Sequence, residues 1–178
     1  RRFNNLWDVV RWIMLREKMF RGLGADGIDV LVICQKGAEG ILKQAGLPGN
    51  VVFIHFNNLR GLDAYGNVPC IIVMGRTMPA PQAVEMLAET LTGKMVIDTV
   101  DGWYPRRGVG IRVAGQGGKG LTVLAERHPD PLVEKFRWQI CEAELIQTIG
   151  RGRGVNRNTA NPLQIDVLTN VPLPITVD

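Results

Sequence analysis

The sequence predicts an α/β fold with three layers: a mostly parallel sheet carrying helices on both faces, with a β-hairpin inserted. Three observations predict it. Apolar, β-branched runs at 28–34, 51–54 and 70–74 read as strands buried on both faces. Helical segments bounded by capping residues alternate with them, the order that gives parallel pairing. A glycine-rich turn, Gly115 to Gly120, separates two further apolar stretches at 109–114 and 121–125, which reads as a hairpin.

Each element has its own signal. Asn5 caps a helix over 6–21, whose Leu6, Val9, Val10 and Ile13 share one face. Trp7 and Trp12 on it read as packing residues. A short helix over 38–45 ends at Gly46 and Pro48. Pro81 at the first helical position and Gly93 beyond the end bound a helix over 81–91. Residues 95–98 read as a short strand. Asp130 and Pro131 open a long helix in which Leu132, Val133, Phe136, Ile140, Ala143 and Ile146 recur at helical spacing up to Gly150. After an Asn/Gly-rich loop, 163–168 reads as the last strand, and a proline-rich tail follows. Nothing reads as a linker, so 1–178 is expected to be a single domain with 101–128 as the hairpin insertion.

Composition narrows the class. The chain has 178 residues, 46% hydrophobic and 21% charged, enough for one core and too few for two full α/β domains. The formal charge of +4 is a mild lean toward polyanions, but its distribution is uneven. From Trp103 to Arg127 there are five basic residues and one acid; from Leu145 to Ala160 there are three arginines and none. Cys34, Cys70 and Cys141 sit in apolar runs without metal-ligand spacing and read as buried thiols of a reducing compartment. No stretch reaches the roughly 18 apolar residues of a membrane span, and the start is not a signal peptide. A cytoplasmic protein with no membrane partner is therefore expected. The first residue is Arg rather than Met, which suggests a piece excised from a longer polypeptide.

Two glycine patterns mislead. Gly22-Leu-Gly24-Ala-Asp-Gly27 and Gly115-Gln-Gly117-Gly-Lys-Gly120 both fit G-x-G-x-x-G, but a dinucleotide site needs a strand before and a helix after. The first lies between a helix and a strand and the second between two strands, so both read as turns. No G-x-x-x-x-G-K-[ST] occurs, so the chain itself lacks a phosphate-cradling loop. His55 and His128 are isolated and read as structural.

The sharpest feature is Gln147-Thr-Ile-Gly150-Arg151-Gly-Arg153-Gly-Val-Asn-Arg157, where a long helix runs into a glycine-rich loop. Three arginines this close repel one another unless an anion sits among them, and the guanidinium fork suits phosphate oxygens. An arginine finger in phosphoryl transfer is one reading of that cluster, and a loop of arginines that is solvated or lies on a nucleic-acid backbone is the other.

Gln147-x-x-Gly150-Arg151 resembles helicase motif VI, which in superfamily 2 reads Gln/His-x-x-Gly-Arg-x-x-Arg. Upstream, Phe56-Asn-Asn-Leu-Arg60-Gly61-Leu-Asp63-Ala-Tyr-Gly66 resembles motif V, and Val30 to Cys34 with Gln35 and Lys36 is similar to motif IV. The strand and proline-rich exit at Ile71 to Pro81 are similar to those after motif V in XPD/DinG-like helicases. The order IV, V, VI is the family's, and the resemblance spans about 28–168. One departure stands out: the position of the family's second motif VI arginine is Gly154 here, so Arg151, Arg153 and Arg157 all remain candidates for the finger.

The resemblance implies a RecA-like lobe that clamps ATP and Mg2+ against an N-terminal RecA-like domain outside this sequence, where the phosphate loop and magnesium carboxylates reside. It implies catalytic roles for Arg151, Arg153 and Gln147, and nucleotide contacts from Gly61, Asp63, Gly150 and Arg157. Nucleic acid, DNA before RNA, is the implied partner, with a lean toward plasmid- and phage-type replication helicases. Gln35, Lys36, Asn57, Asn58 and Arg60 follow strand ends, where α/β sheets bind ligands, and are candidates for its phosphates. Arg106, Arg107, Arg112 and Lys119 on the hairpin are further candidates, with Trp103 and Tyr104 offering stacking; a strand-separating wedge and an edge hairpin packed on the sheet are the other readings. A binding module without ATPase activity, and a small-molecule α/β enzyme with an arginine-lined anion site, stand beside the motor.

Overall fold

The computed structural model describes residues 2–56, 65–115, 120–150, 152 and 154–177. The chain divides into two compact units, Arg1–Arg76 with Gln147–Thr169, and Thr77–Ile146 with Asn170–Asp178.

The first unit holds the parallel sheet expected from the apolar runs. Strands β1 (Val30–Cys34), β2 (Val51–His55), β3 (Cys70–Met74) and β6 (Gln164–Leu168) lie in the order β2-β1-β3-β6, every pair parallel. Alternation sends Val30, Val32, Cys34, Cys70 and Ile72 to one face, where they pack with Val10 and Ile13 of helix α1 (Arg2–Phe20) and Leu42 of helix α2 (Lys36–Lys43). The opposite row, Leu31, Ile33, Ile71 and Val73, is buried as well. Both faces are covered, which explains why these strands read as continuous apolar runs.

Polar anchors fix α1. Asp166 of β6 accepts from Arg16 through Nε at 2.6 Å and Nη2 at 2.9 Å, and from Trp12 Nε1 at 2.8 Å. Trp12 has its polar tip satisfied and Arg16 4.6 Å from its ring, but it is exposed, as is Trp7, so the packing role expected of the two is corrected: neither lies in the core.

The turn 22–27 connects α1 to the sheet. Gly22 N and Gly24 N both donate to the Asp29 carboxylate, at 3.0 and 2.9 Å, and Asn50 Nδ2 adds a third bond at 2.7 Å. Burial alone would raise the Asp29 pKa; the donors from Asn50, Gly22 and Gly24 outweigh it and hold the carboxyl below its ordinary range. The amides that a nucleotide phosphate would need in a G-x-G-x-x-G site are engaged by a carboxylate of the chain itself.

The second unit contains helix α3 (Pro81–Thr92), the antiparallel strands β4 (Arg106–Val113) and β5 (Gly120–Glu126), most of helix α4 (Pro131–Gly150), and a two-residue strand β7 (Thr176–Val177). Its core joins Val84 and Ala88 of α3 to Val133, Phe136 and Ile140 of α4. The hairpin is longer than the sequence indicated, and its register runs from Arg106↔Glu126 to Arg112↔Gly120. The proline-rich tail extends it, since β7 pairs in parallel with Arg112 and Val113.

Residues 95–98 form no strand. Carboxylates take the backbone donors there: Val96 N bonds Glu89 Oε1, Ile97 N bonds Asp130 Oδ2 and Thr99 N bonds Glu85 Oε1. Asp130 also caps α4, accepting from Leu132 N at 2.7 Å and Val133 N at 3.2 Å.

Arg137 is fully buried and is neutralised by Glu134 (2.7 and 2.8 Å) and Glu142 (2.6 Å), both shared with Arg127. His128 Nε2 lies 2.9 Å from Glu85 Oε1. These groups tie the hairpin's last residues to α3 and α4. No helix among the described residues is long and apolar enough to cross a membrane.

Candidate functional site

The parallel register aligns the carboxyl ends of the strands, Cys34 beside His55 and Met74 beside Leu168. Gln35 leaves β1 in extended conformation to start α2, and its Nε2 donates to the Arg76 carbonyl beyond β3 at 2.7 Å. Lys36 begins α2 and is exposed. At the end of β2, His55 Nδ1 lies 3.0 Å from Glu39 Oε2, while Lys43 bonds the other carboxylate oxygen at 2.7 Å. The Lys43 bond, opposed by burial and helped by His55, holds the Glu39 carboxyl below its ordinary range. Sequence reasoning missed this group. Its only signal was the i,i+4 spacing of Glu39 and Lys43. Asn57, Asn58 and Arg60 lie outside the described residues, as do Gly61, Asp63 and Lys119.

The second part of the site is the turn after α4. Gln147 and Gly150 are exposed in the last helical turn while Thr148 between them is buried. Gly152 N donates to Ile149 O at 3.1 Å, bending the chain out of the helix. Gly152 is itself buried: a Cβ there would lie 2.8 Å from Leu163 Cδ2 and 3.0 Å from Ile71 Cδ1 of β3. Arg151 and Arg153 lie outside the described residues, on either side of this pinned glycine.

Arg157 bonds groups on either side of it in the chain's first unit. Its Nη2 donates to the carbonyls of Gly66 at 2.6 Å and Val68 at 3.0 Å, Nη1 to Asn161 Oδ1 at 2.8 Å and Nε to Gly152 O at 3.4 Å. Four of the five N–H groups of a guanidinium are thereby engaged by the protein. Partial burial draws its pKa down, and the carbonyl dipoles compensate its charge. The segment following Arg60-Gly61-Leu-Asp63 and the loop following Gln147–Gly150 are held together by one side chain.

The hairpin places its arginines on two faces. Arg106 and Arg112 share a face with Gly108 and Gly110, while Arg107 shares the other with Val109, Ile111 and Val113. Trp103 is partly exposed, but Tyr104 is buried, with its hydroxyl donating to Pro79 O at 3.0 Å and its ring edge-on to His128. Burial pushes the Tyr104 phenol up to about 12. The stacking role expected of Tyr104 is therefore corrected: its ring is part of the packing beneath the hairpin.

Among the described residues no group of three or more His, Cys, Asp or Glu converges on a metal position. Compared with protein-family models, with curated proteins and with solved structures, the chain matches none.

Proposed function

We propose that this chain is the second RecA-like lobe of a superfamily 2 helicase or translocase, working in the cytoplasm on nucleic acid, DNA before RNA. ATP and Mg2+ are gripped chiefly by an N-terminal lobe of the same polypeptide. Bound there, the nucleotide supplies the phosphoryl group whose hydrolysis drives movement. Arg151 and Arg153 supply positive charge to its γ-phosphate; Gln147 and Asp63 relay its state toward the strand-end residues Gln35, Lys36, Asn57, Asn58 and Arg60.

One observation supports this reading above the others. Arg157 bonds both the exit of the Arg60-Gly61-x-Asp63 segment and the loop after Gln147–Gly150. Gly66 and Val68, which follow the segment that resembles motif V, and Gly152, which follows the one that resembles motif VI, thus share one side chain, and this supports a common site. With its donors so engaged, Arg157 is a positioning residue, and the finger falls to Arg151 or Arg153.

The test is made on the polypeptide that carries the proposed N-terminal lobe. Changing Arg151 and Arg153 together to Ala is expected to lower nucleic-acid-stimulated ATP turnover by about 10³-fold or more while ATP still binds. Turnover that survives both changes ends the motor reading.

A further inference from the structure

One face of the hairpin is built in a way that its own fold does not require. In register, Arg106, Gly108, Gly110 and Arg112 of β4 stand opposite Glu126, Leu124, Thr122 and Gly120 of β5. All of these except Glu126 are exposed. A solvent-facing strand is ordinarily covered by long polar or β-branched side chains, and glycine inside it weakens the strand. Gly120 is explained by sterics, since a Cβ there would meet Ile111 O at 2.5 Å. Gly110 is not: a Cβ would meet nothing within 4 Å, and its φ is not positive. Gly108 would meet only Thr122 Cγ2, at 3.3 Å. A bare backbone between two cations suits a ligand that lies close along the strand.

We infer that this face is a track for the sugar–phosphate backbone of single-stranded nucleic acid, laid along β4. Arg106 and Arg112 hold its phosphates at the two ends, and Gly108 and Gly110 let the strand approach the peptide plane between them. Arg112 lies six positions beyond Arg106, about 20 Å of extended chain. Among the described residues of β4 and β5, the face's one carboxylate, Glu126, stands opposite Arg106. Arg107, on the apolar face, lies off the track. The inference rests on the nucleic-acid part of the proposed function and not on its ATP chemistry.

The experiment follows binding of fluorescent oligothymidylate to the full chain across a salt series, without nucleotide. Removing one phosphate-binding cation lowers the slope of log K against log salt by roughly 0.7 for a single strand. Changing Arg106 and Arg112 together to Ala is therefore expected to lower the slope by about 1.4, with a smaller change for Arg107→Ala and none for the exposed Lys135→Ala. Gly110→Val, whose Cβ would have nothing within 4 Å, is expected to weaken binding several-fold with its thermal stability retained. The track is overturned if Arg107→Ala matches the Arg106/Arg112 pair, if Gly110→Val binds as the parent does, or if polyglutamate displaces the oligonucleotide by binding the chain more tightly. A chain that binds no oligothymidylate removes the track even where ATP turnover depends on Arg151 and Arg153. Turnover indifferent to those two arginines removes the motor and leaves the track.

Discussion

At the scale of single residues, the turn after α4 uses two glycines in opposite ways. Gly152 is closely packed: a methyl group there would come 2.8 Å from Leu163 Cδ2, 3.0 Å from Ile71 Cδ1 and 3.2 Å from the Ile149 carbonyl. Gly154, two positions on, has open space where its Cβ would be and no left-handed φ. Gly152→Ala is therefore expected to overpack the site and cost about 1–3 kcal/mol, whereas Gly154→Ala should be neutral or slightly stabilising. Denaturant unfolding of the two variants checks this, and equal effects would contradict the packing argument. The same contrast marks what was legible. The arginine cluster could be found because charge crowding is a property of the sequence. The role of Arg157 could not, because its partners are carbonyls 91 and 89 residues away, and every residue carries a carbonyl.

At the scale of elements, legibility followed the source of each element's hydrogen bonds. The parallel strands announced themselves through their two buried faces, and α3 and α4 through proline, glycine and aspartate at their ends. Residues 95–98 mislead because their apolar content resembles a strand, while carboxylates from Glu85, Glu89 and Asp130 capture the backbone. Strand β7 stayed hidden because its pairing with β4 is a backbone ladder without side-chain signature. Asp130 shows how one side chain can decide two elements, capping α4 and pinning Ile97. The Ile97 amide bond, opposed by burial and aided by those of Leu132 and Val133, lowers its pKa. A carboxyl depressed on folding contributes stability above its unfolded pKa, near 3.9, and loses it as pH falls through the lower folded value. Asp130→Ala should cost about 1–2 kcal/mol at neutral pH, and the gap from the parent chain should close as pH drops below about 4. Unfolding free energies measured from pH 7 to pH 3 test this; a gap that widens on acidification would assign the stabilisation to something other than the ionised cap.

At the scale of the whole chain, the central issue is whether 178 residues can handle a nucleotide alone. A triphosphate needs a row of free backbone amides or a lysine presented from a glycine loop. The turn 22–27 has the glycines, but its amides at Gly22 and Gly24 already meet Asp29. The second glycine pattern joins two antiparallel strands, so no helix N-terminus follows it. An arginine fork can grip one phosphate, but it does not supply the loop of amides that cradles the rest of a triphosphate. A ligand that binds only the folded state raises stability by RT ln(1 + [L]/Kd), so thermal unfolding reads these possibilities directly. The chain on its own is expected to unfold at the same temperature with and without millimolar Mg·ATP and to turn none over, whereas oligothymidylate at low salt should raise the transition. A clear upward shift with Mg·ATP, abolished by Arg151→Ala and Arg153→Ala, would mean that the arginine turn forms a complete anion site unaided. The chain would then be better understood as a small-molecule enzyme than as half of a motor.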